Sequence, residues 1–113
     1  MGDFNDIVNM QHLNNALQQS IKMLKQTGKE YAGKEMEYKM ALNKKALRLR
    51  EEKDMPVTLI NQVIYGYEDI AKKRFERDVA EAIYKANQEA INSYKLQIRI
   101  LDNQIGREWG SNA

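Results

Sequence analysis

YEDIAKKRFERDVAEAIYKANQEAINSYKLQIRILDNQIGREW, residues 67–109, decides the fold of this chain. The stretch contains no proline, and its only glycine, Gly106, comes near the far end. Apolar side chains recur through it at helical spacing, which predicts one long α-helix from Tyr67 to Trp109. At about 1.5 Å per residue such a helix spans roughly 60 Å. Two apolar rows run along it. The first has a seven-residue period, Ile70, Arg77, Tyr84, Ile91, Ile98 and Ile105, joined by Ala80, Asn87, Tyr94 and Leu101. This is a coiled-coil seam interrupted by Arg77 and Asn87. The second row, Phe75, Val79, Ala82, Ala86, Ser93, Leu96 and Ile100, falls on roughly the opposite side. A single neighbour needs one stripe about 100° wide, so the pattern predicts two partners. One comes from the same chain and one from another copy, giving a homo-oligomeric helical bundle. A single wide core face on a monomer is the competing reading.

The remainder of the chain supplies the first partner. From Ile7 a heptad continues through Met10, Leu17, Ile21, Leu24, Tyr31, Tyr38, Leu42 and Leu49, with Asn14, Gly28, Glu35 and Lys45 in the remaining seam positions. Asp3 is a candidate N-cap, and Asp6 adds negative charge at the positive end of the dipole. Gly28 and Gly33 weaken the middle, since each costs roughly 1 kcal/mol against Ala. The prediction is a continuous or gently bent helix, with residues 1–28 as a separate N-terminal helix the alternative. Glu30–Lys34 and Glu35–Lys39 have i,i+4 spacing. Pro56 ends this helix near Asp54 and opens a short helix through Tyr65, carrying Val57, Leu59, Ile60, Val63 and Ile64. Gly66 is the stop. A connection this short makes the long helices antiparallel neighbours, bringing Tyr38 near Ala80, Leu24 near Tyr94 and Ile21 near Ile98. The fold class is therefore all-α, a coiled-coil-like hairpin of two long helices joined by a short Pro-led helix, in one domain over residues 1–113.

Composition narrows the function. Lys and Arg number 18 against 16 Asp and Glu, a formal charge of +2, whereas proteins that live on phosphate contacts show a clustered basic excess. The absence of cysteine removes disulfides, thiolate chemistry and Cys-based zinc sites. No apolar run suits a signal peptide or a membrane span, and Asp6 stands where a myristoylation signal wants Ser or Thr. A cytosolic protein is expected. The single histidine, His12, cannot build the paired Glu-x-x-His sites of di-metal bundles, and no phosphate-binding glycine loop is present. Catalytic residues, metal ligands and cofactors are accordingly not predicted.

Binding residues are a different matter. Lys22, Lys25 and Lys29, with Lys34 and Lys39 beyond them, place basic groups along the first helix. An ordinary solvated face is the preferred reading, since nucleic-acid binding also wants Arg and aromatics on that side. The corner loosely echoes a helix-turn-helix, yet Met55 to Ala71 contains no Arg or Lys to read bases. It reads better as an apolar plug closing the bundle, or as a docking knob presenting Tyr65 and Tyr67. Tyr65, Tyr67 and, at the far end, Trp109 are the candidate partner contacts, because Tyr and Trp are enriched among interface hot spots.

Leu47-Arg48-Leu49-Arg50-Glu51-Glu52, Met55 through Ile60, Tyr65-Gly66 and Lys73 through Ala82 resemble a group of small helical early proteins from temperate phages of Gram-positive bacteria. The likeness continues through Ala90-Ile91-Asn92-Ser93 and Leu96-Gln97-Ile98-Arg99 to Arg107-Glu108-Trp109. It covers roughly residues 29–109 and brings no catalytic residues with it. The resemblance implies a viral origin and action in the host cytoplasm. Together with the apolar surplus, it leads to the expectation of a non-enzymatic phage protein that inhibits a host-defence protein, such as a nuclease effector. An accessory of phage recombination or replication, binding DNA or a DNA-bound protein, is the alternative. A sponge for a small nucleotide signal is the third.

Overall fold

The computed structural model describes residues 3–111, and the side chains of residues 4–110. Three helices follow in order, α1 (Asp3–Lys53), α2 (Val57–Val63) and α3 (Glu68–Ser111), with a 3-10 turn, Ile64–Gly66, between the last two. No strand occurs among the described residues. The all-α class follows from a chain rich in Ala, Leu, Lys, Glu and Gln with few β-branched runs. The proposed cap at Asp3 lies outside the described side chains.

α1 runs unbroken through Thr27-Gly28-Lys29 and Gly33. Its end is made by Asp54, which adopts φ 51°, the only non-glycine residue described with a positive φ. Asp tolerates this left-handed conformation better than most residues. The chain then turns back, so that the Met55 N–H donates to the Leu49 carbonyl at 3.2 Å. Pro56 is the N-cap of α2, extended at ψ 147°, rather than a residue of its first turn. Its carbonyl accepts the Ile60 N–H at 3.0 Å. Gly66 does close the connecting turn, but not as the left-handed stop expected of it: no described glycine has a positive φ. A single 3-10 turn needs no such residue, because the chain leaves through Tyr67, extended at ψ 134°.

The chain packs as two units, one comprising Met1–Gln26 and Lys85–Ala113, the other Thr27–Tyr84. In the second unit, Tyr38, Leu49, Ile60, Ile64 and Ile70 form a buried cluster, with Ala41, Leu42, Ala46, Met55 and Tyr67 packed against it. The corner is thus an apolar plug. Ile70 is 0% exposed, and burying a side chain of this kind stabilises by about 1.5–3 kcal/mol.

Within this unit α1 and α3 run antiparallel, Lys45 beside Asp69, Glu35 beside Arg77 and Gly28 against Tyr84. The register differs from expectation, because Tyr38 lies against Arg77 rather than opposite Ala80. The cause is α2, whose Ile60 and Ile64 pack back on Leu49, so that α3 begins beside Lys45. In the other unit, Ser20 meets Asn87, a shift in the same direction from the Leu24–Tyr94 and Ile21–Ile98 pairing.

α3 keeps its seam. Ile70, Ala80, Asn87 and Ile91 are buried, and Arg77, Tyr84, Tyr94, Ile98, Leu101 and Ile105 are half-buried. Every member of the second row from Phe75 to Ile100 is exposed. On α1 the strict heptad fails toward the N-terminus. Asp6, Val8, Met10, Leu13, Ala16, Leu17, Ser20 and Leu24 are covered there, whereas Ile7, Asn14 and Ile21 are exposed. Met10, Leu17 and Leu24 keep their heptad places, while Asp6, Leu13 and Ser20, one residue earlier, are covered in place of Ile7, Asn14 and Ile21.

Candidate binding surfaces

Two of the polar residues that interrupt the seams, Arg77 and Glu35, are matched to one another. In the unit Thr27–Tyr84, Arg77 donates from Nη1 to Glu35 Oε2 at 3.1 Å and from Nε to Asp78 Oδ1 at 2.7 Å. Its guanidinium lies 4.8 Å from the centre of the Tyr38 ring. The bond to Glu35 holds Arg77 more firmly protonated than usual, against the opposing effect of burial. Tyr31 and Tyr84 sit with ring centres 5.9 Å apart, tilted by 30°. Partial burial, then the Glu81 and Glu35 carboxylates, push the Tyr31 phenol above its ordinary value.

Next to this layer, Lys34 and Lys73 each approach both Glu37 and Glu76 at 3.5–3.8 Å. Glu35–Lys39 forms as spaced, at 3.4 Å. Lys34 turns to Glu37 and Glu76 rather than to Glu30, because α3 supplies a second carboxylate. In the other unit Asn87 donates to the Ser20 carbonyl at 2.9 Å. Polar seam residues of this kind fix register at some cost in stability. They explain how the helices pair within each unit.

The residues singled out for contact fare differently. Tyr67 is half-buried, with the Lys45 ammonium 4.6 Å above its ring. Lys45 in turn reaches Asp69 at 3.0 Å, and this bond holds the Asp69 carboxyl below its usual range. Tyr67 is therefore committed to the fold on at least one face. Tyr65 is exposed, with Arg74 5.4 Å from its ring centre, beside exposed Val57 and Leu59 on the same corner. Trp109, 67% exposed, belongs to the other unit and lines a shallow depression with Asp102, Ile105 and Arg107. Lys22, Lys25 and Lys29 all face solvent.

Large apolar side chains are also exposed along the outer row of α3. In the unit Thr27–Tyr84, Phe75 is 68%, Val79 41% and Ile83 52% exposed. They border an open groove whose remaining walls are Glu30 and Lys34 of α1 and Glu76 and Ala80 of α3. In the other unit, Ile100 lines a groove with Leu13, Leu101, His12, Asn9, Gln97 and Gln104. Ile83 was not assigned to the outer row from sequence, although it stands four residues after Val79, the spacing of a shared helix face. The amide-rimmed groove beside His12 was likewise invisible, since it joins residues far apart in the chain.

Among the described residues no cluster of three His, Cys, Asp or Glu side chains could hold a metal ion, and no helix is long and apolar enough to cross a membrane. Compared with known proteins, the chain matches no family model, no curated protein and no solved structure.

Proposed function

We propose that this chain is a non-enzymatic binding protein that associates with itself and acts by covering a surface of a host protein. The exposed Phe75, Val79 and Ile83 carry the self-association, and the exposed Tyr65, Val57 and Leu59 at the corner are the surface left for the host protein. Large apolar side chains grouped on a surface mark interaction sites, and the polar groups at the helix interface are consumed in holding register. The viral setting rests on the resemblance of residues 29–109, and the target class follows from it: a host-defence protein such as a nuclease effector, met in the host cytoplasm. Expression of the chain in hosts carrying different defence systems tests this. Restored plating of a phage sensitive to one system, lost in the Phe75→Lys variant, is expected. Unchanged plating across all systems would discard the target class.

One observation favours a second reading, an accessory of recombination or replication. Lys22 and Lys25, in the unit of Met1–Gln26 and Lys85–Ala113, project to solvent three residues apart, and Lys29 does so in the unit Thr27–Tyr84. Phosphate binding through them predicts DNA affinity that falls steeply with salt. A gel-shift titration at two salt concentrations separates the readings, and the balanced charge of the chain leads us to expect no shift.

A further inference from the structure

We infer that the groove bordered by Phe75, Val79 and Ile83 is filled by the same row of a second copy, in an antiparallel two-fold contact centred on Val79. The inference rests on the self-association proposed above and gives it a geometry. Three observations in the unit Thr27–Tyr84 point to it. First, Phe75 and Ile83 stand four residues to either side of Val79 on α3. A two-fold axis through Val79 thus sets Phe75 of each copy against Ile83 of the other. A self-complementary contact needs this pairing of residue i with j and j with i.

Second, Ala82 is exposed on the same helix. A small residue there lets the facing helices approach. Third, the groove is walled by charges of both signs, Glu30 and Glu76 with Lys34. A partner recognised by charge calls for a rim of one sign that steers its opposite. A mixed rim neither repels a copy of itself nor selects a strongly charged stranger, and a net charge of only +2 leaves little long-range repulsion between copies.

The absence of cysteine makes the test direct, because each introduced thiol is unique. Val79→Cys, Phe75→Cys, Ile83→Cys and, as a control on an exposed α1 position, Leu47→Cys are prepared in the full chain. Each is treated with a short bis-maleimide, and the mass of the unmodified protein is measured alongside by light scattering. The expected result is an oligomeric mass, with Val79→Cys joined into a covalent dimer at least tenfold more than Leu47→Cys. Phe75→Cys and Ile83→Cys should each link poorly alone and efficiently when mixed. An oligomeric mass with no preferential Val79→Cys link overturns the geometry and leaves self-association standing. So does a strong self-link of Phe75→Cys, the mark of parallel helices. A monomeric mass overturns both.

Discussion

Two glycines of α1 illustrate how much a single position depends on its neighbour. A Cβ at Gly33 would meet nothing within 4 Å, whereas one at Gly28 would lie 3.1 Å from Tyr84 Cε1. Gly33→Ala should therefore raise stability by about 0.5–1 kcal/mol, the ordinary helical preference. Gly28→Ala should show no gain, because Tyr84 must be displaced from its place beside Tyr31. Urea denaturation of the two variants checks this, and equal gains would show that Tyr84 yields freely.

The Lys45–Asp69 pair gives a pH dependence. The carboxyl of Asp69 is lowered in the fold from an ordinary 3.8, chiefly by the bond from Lys45. Its contribution is fully present above that value and is lost as pH falls through the lower folded value. Asp69→Asn should flatten the acid limb of the stability curve below pH 4, with little change in its shape at neutral pH. The effect is small, since Asp69 is mostly exposed and solvent screens it. Tyr31 acts at the other end: its raised phenol favours the folded state until pH rises beyond the ordinary 10.0.

At the scale of elements, the break between α1 and α2 is the most sensitive point. Asp54 holds the left-handed conformation that ends α1, a conformation costing roughly 1–2 kcal/mol for an ordinary side chain and nothing for glycine. Asp54→Gly should stabilise by up to about 1 kcal/mol, and Asp54→Val should destabilise by a similar amount. Thermal melts of both variants check the prediction; opposite signs would show that the turn does not depend on backbone preference.

Pro56 announced this break in the sequence, and the acidic Glu68-Asp69 start of α3 was equally legible. The left-handed residue was not, because Pro56 by itself accounts for a helix end near Asp54. The seam of α3 was readable because Ile70, Ile91 and Ile98 repeat at intervals of seven or its multiples. Toward the start of α1, Ile7 and Ile21 repeat as well yet face outward, so the repeat alone does not decide which face is covered. The grooves combine residues of both long helices, so they depend on a register that only packing sets.

For the whole molecule the question is what covers the outer row of α3. The sequence placed more apolar surface on this helix than one neighbour can hide, and the folded chain leaves Phe75, Val79, Leu96 and Ile100 exposed. Water contact at such side chains forfeits about 25 cal/mol for each Å² that association could bury, and a chain of nearly balanced charge has little repulsion to keep copies apart. Phe75→Lys should weaken self-association without unfolding the chain, because the side chain already reaches solvent. The most direct test is the mass of the unmodified protein, followed by light scattering from low to high micromolar concentration. Our account predicts an integral multiple of 13.2 kDa that persists on dilution into the low micromolar range. A constant 13.2 kDa throughout would contradict it.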